Sequence, residues 1–343
     1  MRGWRCAGAL ALCALTMVLT ACGSSDSSSG GSSISIATTT PADAPAEAVK
    51  MSIAINPWIG YGPWYVAKAK GFDRENGVDL DFVNFVENKD LYAAVGSGRI
   101  DSTHALVSTA LRFQASEIPL KVALFQDIST KADAIIGAPG VASIADLKGK
   151  RVGFEEGGGH EMLLRLALED AGLTMDDIKK VPLGADKAGA ALLAGKVDAA
   201  VTYEPYVSQT LKEEPGAEVI ATAGDFPGII SDVWEVSEAF AEEHPEAVEG
   251  ALRAWNAGVE YFRSDPDDAL SIVAKVADTT PEDLAVTFEG VELYDAQQSL
   301  EFLQNEFQPL ATQILDIMKE QDSLDGTADP ATLVDLSYLE KVG

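Results

Sequence analysis

The sequence predicts an α/β protein of two similar lobes facing each other across a cleft. Three observations carry this. From Val49 onward, strand-like apolar runs alternate with helix-like runs, the pattern of parallel pairing in a layered fold. The plan then repeats about a hundred residues on. Gly98-Arg99-Ile100-Asp101 is echoed by Gly195-Lys196-Val197-Asp198, and Gly71-Phe72 by Gly172-Leu173. Finally, Asn56 to Tyr65 gathers two Trp, two Tyr, two Gly and two Pro between a strand-like and a helix-like run. That is a strand end of the kind where open α/β sheets bind ligands.

The first unit reads in order as strand Met51–Ile55, helix Gly62–Lys70, strand Val78–Phe82, helix Asp90–Gly96, strand Ile100–His104, helix Thr109–Gln114 and strand Leu120–Phe125. Proline and glycine keep the aromatic stretch from joining either neighbour. The second unit opens with strand Lys150–Phe154 and a Gly-rich loop. Helix Met162–Asp170 follows, with Leu163, Leu166, Ala167 and Asp170 at helical spacing and Gly172 as its cap. Strand Ile178–Val181, helix Lys187–Ala194 and strand Val197–Val201 complete it. After Glu218–Ile220, the run Asp232–Val236 is expected to cross back to the first lobe. The rest is helical: Ser237–Glu243, Pro245–Arg263, Pro266–Val276, Pro281–Glu289 and Leu300–Lys319. Pro245, Pro266 and Pro281 suit first-turn positions, with Ser264 and Thr280 in the N-cap regions of two of these helices. The expected division is lobe 1 over 49–140 plus 233–343 and lobe 2 over 141–232.

The N-terminus reads as an export signal over 1–21. Arg2 and Arg5 precede an apolar core, Ala7 to Leu19, too short for a comfortable membrane span. Leu19-Thr20-Ala21-Cys22 resembles the bacterial lipoprotein lipobox, which implies that Cys22 becomes an acylated N-terminus. Residues 22–48, rich in Gly and Ser and then in Thr, Pro and Ala, form the expected flexible tether. The other cysteines, Cys6 and Cys13, fall in the removable segment, so no thiol remains for a disulfide or a nucleophile. The formal net charge is −29 and becomes −31 once Arg2 and Arg5 are removed. So acidic a surface argues against nucleic acid and against lying flat on anionic lipid.

Taken together, Pro57-Trp58-Ile59-Gly60-Tyr61, Trp64-Tyr65-Val66-Ala67, Gly71-Phe72, Gly77-Val78, Gly98-Arg99-Ile100-Asp101, Asp146 to Gly153, Gly195 to Ala200, Tyr203-Glu204-Pro205-Tyr206 and Glu243-His244-Pro245-Glu246 carry a family resemblance. In order and spacing they resemble the solute-binding lipoproteins of ABC importers, in the branch that carries sulfonates, taurine, nitrate or thiamine-pyrimidine precursors. The resemblance implies a type II periplasmic-binding-protein fold, each lobe a mostly parallel sheet flanked by helices, with two crossovers. It also implies no catalysis, no cofactor, a small-molecule ligand, and a permease with its ATPase as partners. The protein would act as a monomer, exported and lipid-anchored to the outer face of the cell membrane. A pyrimidine-precursor enzyme of the same fold and a ligand-sensing lipoprotein are the other classes.

By the same resemblance, ligand contacts come from loops at strand ends. Trp58, Tyr61 and Trp64 lie in the aromatic stretch, and Trp58→Ala or Trp64→Ala is expected to abolish closure while leaving the fold intact. Ser108 and Thr109 stand at a helix start, where they contact ligand or simply cap the helix. Glu155, Gly158 and His160 belong to Glu155-Glu156-Gly157-Gly158-Gly159-His160, whose backbone N–H groups suit an anion. Without a Gly-Lys-Ser/Thr ending it is no nucleotide loop. Tyr203 and Glu204 follow, Glu204 serving either the ligand or the hinge. Asp232 and Trp234 sit at the second crossing, where Asp232 either pairs across the cleft or meets ligand. His104 and His160 are both expected to face the cleft, which raises a metal site with the carboxylates, but they lack metal-ligand spacing. The five candidate loops contain aromatic faces and carboxylates but no Lys or Arg. That composition favours a cationic or heteroaromatic nitrogen compound over a sulfonate-like anion.

Overall fold

The computed structural model describes residues 31–33, 48–55, 58–85, 88–277 and 279–342. The export segment, Cys22, most of the tether, and Asn56 and Pro57 lie outside the described residues. In chain order the strands are β1 (Gly31–Ser33), β2 (Val49–Ala54), β3 (Val78–Phe85), β4 (Ser102–Leu106), β5 (Leu120–Ser129), β6 (Asp133–Gly137), β7 (Arg151–Phe154), β8 (Lys179–Pro182), β9 (Ala199–Tyr203), β10 (Glu218–Thr222), β11 (Ser231–Ser237) and β12 (Val291–Leu293). They form two sheets, ordered β1-β3-β2-β4-β11-β5-β12 and β10-β6-β9-β7-β8.

The duplication inferred from the sequence is visible in these orders. The run β3-β2-β4-β11-β5 of one sheet matches β8-β7-β9-β6-β10 of the other. In each, three strands are parallel and the fourth runs against them: β11 against β4, β6 against β9. These antiparallel strands are where the chain changes lobe. β6 begins the second sheet at Asp133, earlier than the expected boundary at 140, and β11 is back in the first sheet by Ser231. The sequence reading missed β6 because Asp133–Gly137 follows β5 with no helix between them. It also missed β12, a short edge strand, and took the two helices Ala296–Asn305 and Phe307–Glu320 for one. Gly31–Ser33, expected to be coil, pairs with β3.

Helices α1 (Gly62–Lys70), α2 (Phe72–Glu75), α3 (Asn88–Gly96) and α4 (Val107–Ala115) join strands of the first sheet. Those of the second are joined by α5 (Gly159–Asp170), α6 (Ala185–Leu193) and α7 (Tyr206–Glu213). The C-terminal part supplies α8 (Glu238–Glu243), α9 (Pro245–Ser264), α10 (Pro266–Ala277), α11 (Pro281–Phe288), α12 (Ala296–Asn305) and α13 (Phe307–Glu320). Thr280 caps α11 through the Asp283 N–H as expected. At α10 the side chain that accepts from the first turn, from the Asp268 N–H, is that of Asp265 rather than Ser264.

The echoed Gly-Arg/Lys-Ile/Val-Asp motif has the same structural task in both lobes. Gly98 and Gly195 take left-handed backbone just past α3 and α6, at φ of 67° and 65°. The aspartate three residues later then holds the neighbouring strand. Asp101 accepts from the Ser52 N–H and hydroxyl, and Asp198 accepts from the Arg151 N–H and guanidinium. Arg151 pulls the Asp198 carboxyl down to about 2.

The core of lobe 1 is centred on three tryptophans. Trp64 of α1 packs against Trp234 of β11 and Trp255 of α9, each at 5.2 Å between ring centres. All three are fully buried. Helix α9 reaches this position because it carries glycine where it crosses α1. A Cβ on Gly258 would stand 2.3 Å from the Pro63 carbonyl oxygen.

Candidate functional site

The loops after β2, β4, β7 and β9 all open on one side, where the two lobes meet. They line a partly open cavity of about 390 Å³, within the range of small-molecule sites. Lobe 1 lines it with Trp58, Tyr61, His104 and Thr109, and lobe 2 with the 155–160 loop, Asp133, Tyr203 and Tyr206. Asp232 lies at the crossing between them. The lobes touch across the site: Trp58 meets Tyr203 edge-on at 5.9 Å. A Cβ on Gly159 would collide with Leu106 of the first lobe at 2.8 Å.

The aromatic stretch is pinned from below by two carboxylates. Asp127 of β5 and Asp232 of β11 are register partners on adjacent strands. Trp58 Nε1–H donates to Asp127 at 3.2 Å, and the Tyr61 hydroxyl donates to Asp232 at 2.5 Å. Gly60 makes this possible, since a Cβ there would lie 2.4 Å from both Asp127 Oδ2 and Trp58 Nε1. Burial, followed by the charge of Asp232, pushes the Asp127 carboxyl well above its ordinary range. Burial raises Asp232 to about 7, against the lowering effect of the Tyr61 hydrogen bond. Tyr61 itself stacks on the His104 ring at 4.3 Å.

On the other side, the His160 ring donates through Nε2–H to Asp133 Oδ1 at 2.9 Å, with Glu155 3.8 Å from Nδ1. Burial lowers the His160 pKa, but the Asp133 bond and the charges of Asp133, Glu155 and Asp232 outweigh it and leave it raised. The ring also lies 5.6 Å from Tyr203. Gly157 to His160 line the cavity at the start of α5, where the N-cap Gly158 offers no side chain to the first-turn N–H groups and the Gly157 N–H donates to Glu161. Five acids line the cavity, namely Asp133, Glu155, Glu156, Asp186 and Asp232, and no Lys or Arg does so among the described residues.

Of the twelve residues expected from the sequence, eight line this cavity: Trp58, Tyr61, Thr109, Glu155, Gly158, His160, Tyr203 and Asp232. The other four lie outside the lining. Trp64 and Trp234 are core residues of lobe 1, buried because α1 and β11 turn their rings against each other, with Trp64 also packed on Trp255 of α9. Ser108 is buried in α4. Glu204 caps α7, accepting from both the N–H and the hydroxyl of Ser208. Sequence reasoning missed Asp127 and Asp133. Their signal was an acid inside or directly before an apolar strand, the buried-polar exception that marks a site. His104, expected with His160 to face the cleft but not to bind a metal, lines the cavity. No cluster of His, Cys, Asp and Glu able to hold a metal occurs among the described residues.

Comparison with known proteins agrees with this geometry. A family model described as NMT1/THI5 like matches residues 58–269. A binding protein of Brucella abortus is 28% identical over 212 residues, 61% of this chain and 66% of that protein, just under two thirds of its length. The riboflavin-binding protein RibY of Chloroflexus aurantiacus is 28% identical over 286 residues, covering 78% of this chain and 79% of that one. The taurine-binding periplasmic protein of Escherichia coli is 24% identical over 292 residues, covering 83% and 90%. Among solved structures, the alkanesulfonate-binding protein SsuA from Xanthomonas axonopodis pv. citri bound to MOPS superposes with a TM-score of 0.71 at 23% identity, covering 85% of this chain and 100% of that one. The fold is therefore that of the two-lobed periplasmic binding proteins. The desulfurization enzyme DSZB shares it, with a TM-score of 0.65 at 15% identity over 86% of this chain and 98% of that one.

Proposed function

The chain belongs to the NMT1/THI5-like family, and we propose from that premise that it is the solute-binding component of an ABC importer. It captures a small molecule between its lobes and delivers it to the permease, without chemistry of its own. The single observation carrying this reading is the cavity of about 390 Å³ lined by loops of both lobes. The relatives' names support binding over catalysis. The lipobox-like tetrad supports export and anchoring through Cys22. Radiolabelled palmitate incorporated by the wild type but not by Cys22→Ala tests the anchor.

Two readings of the solute have different supports. The likeness favours a sulfonate-, taurine- or nitrate-type anion, since taurine and alkanesulfonate appear in the names of relatives. The first-turn N–H groups of α5 could receive its oxygens. The cavity's own chemistry favours a cationic or heteroaromatic nitrogen compound. Five acids and no Lys or Arg line it among the described residues, with His160, whose pKa is raised, held against Asp133, and an acceptor-only anion would meet like charge from the acids. Rings of Trp58, Tyr61 and Tyr203 offer stacking and cation–π faces. Of the two, the acids and ring faces of the cavity support the nitrogen compound; among the relatives, the taurine and alkanesulfonate binders support the anion and the riboflavin binder supports a heteroaromatic solute. Calorimetric titration of the purified protein with ethanesulfonate, taurine, putrescine and 2-aminopyrimidine separates them. Tight binding of ethanesulfonate with no response to amine or pyrimidine overturns the nitrogen reading and leaves the solute-binding role standing.

A further inference from the structure

Two residues that line the cavity each carry a buried acceptor atom without a hydrogen-bond partner among the described residues, and they belong to different lobes. Asp133, at the start of β6, is 2% exposed. Its Oδ1 takes the His160 bond, while Oδ2 is buried and unbonded. His104, in β4, is 6% exposed. Its Nδ1 lies 2.7 Å from Gln126 Oε1, so Nδ1 carries the proton and Nε2 presents a lone pair. That Nε2 is likewise buried and unbonded. Burial drives the His104 pKa down to about 3, so the ring stays neutral and Nε2 stays an acceptor. A buried acceptor without a donor is costly, and it is seldom left so where no ligand is expected. Both residues line the same cavity.

We infer that Asp133 and His104 are specificity-determining residues that each accept an N–H from one ligand, bridging lobe 2 and lobe 1. This rests on the nitrogen-compound reading and sharpens it. The ligand is a compact molecule with N–H donors on two sides, and the ring faces of Tyr61 and Trp58 suit a planar one such as an amino-substituted heteroaromatic. A ligand satisfying one acceptor only leaves the other buried and unpaired, so it gains little from closure. The two-sided demand thus ties recognition to the closed state.

Calorimetry on the full chain tests this with 2,4-diaminopyrimidine, 2-aminopyrimidine and ethanesulfonate, using wild type, Asp133→Asn and His104→Phe. Asn keeps an oxygen for His160 but replaces the free acceptor with a donor, and Phe keeps the stack on Tyr61. Thermal unfolding checks that both variants fold. The expected result is that wild type prefers the diamine over the monoamine by about tenfold or more, and that each variant erases the preference. If wild type binds the diamine and both variants bind it equally well, the two residues do not select the ligand, although the nitrogen reading survives. Should wild type take ethanesulfonate and neither pyrimidine, the nitrogen reading fails and carries this inference with it.

Discussion

Asp232→Asn isolates the electrostatic cost built into the hinge. Asp232 is 3% exposed, sits beside Asp127 in the register of β11 and β5, and keeps one hydrogen bond from Tyr61. Its carboxyl is raised from an ordinary 3.8 to about 7. A carboxyl raised in the fold favours the folded state only while protonated, so its contribution weakens as pH climbs from about 4 to about 7. Over that window the cost of ionising it in place amounts to about 4 kcal/mol, a large share of a typical domain's stability. Asn keeps the oxygen that accepts from Tyr61 but cannot ionise. The variant and the wild type should therefore be similar in stability near pH 4.5 and diverge by up to about 4 kcal/mol in favour of Asn near pH 8. Urea unfolding of ligand-free protein across this range reads the difference as a midpoint change at constant slope. Two curves that stay parallel across the whole range would refute the claim that Asp232 is held against its charge. The same variant should weaken binding of an amine, whose positive charge relieves the cost in the wild type.

Three further substitutions test other features of the structure. Trp64→Ala should cost about 3–5 kcal/mol of stability, because it empties the centre of the Trp64–Trp234–Trp255 cluster; unfolding at wild-type denaturant concentration would return Trp64 to the ligand site. Glu235 is fully buried with neither carboxylate oxygen bonded, and burial raises it to about 8. Glu235→Gln should therefore gain on the wild type as pH rises from about 4.5 to about 8 and level off above it, and a pH-independent difference in unfolding midpoint would contradict this. Gly60→Ala places a methyl within 2.4 Å of both Asp127 and Trp58, so it should break their hydrogen bond and weaken ligand binding by about tenfold or more; unchanged affinity by calorimetry would show that the Trp58 anchor does not matter.

Several of these features could be read from residue order alone, and the reason differs from case to case. The alternation of apolar strands with amphipathic helices fixes parallel pairing locally, so the layered α/β fold and its duplication were legible. The echo of Arg99-Ile100-Asp101 in Lys196-Val197-Asp198 marked equivalent points because in both lobes a glycine turns the chain after a helix and the aspartate three residues on holds the neighbouring strand. Trp58, Tyr61, His160, Tyr203 and Asp232 were legible for a similar reason: each stands at or beside the end of a strand whose partner sequence already placed it at the cleft.

Depth was not legible. Trp58 and Trp64 lie in the same short aromatic stretch, yet one lines the cavity and the other is the centre of the core. The difference is the direction in which the first turn of α1 points Trp64, toward β11 and an α9 whose glycine lets it approach. Periodicity cannot tell which side of a nine-residue helix a distant glycine will accommodate. Likewise, Asp127, Asp133 and His104 come together only because β5, β6, β4 and β11 are assembled from separate stretches of chain. The sequence by itself determined two duplicated lobes with loops poised at one edge. Only the tertiary structure decided which side chains from those lobes face each other, because an unpaired acceptor is defined by what every other segment fails to offer it.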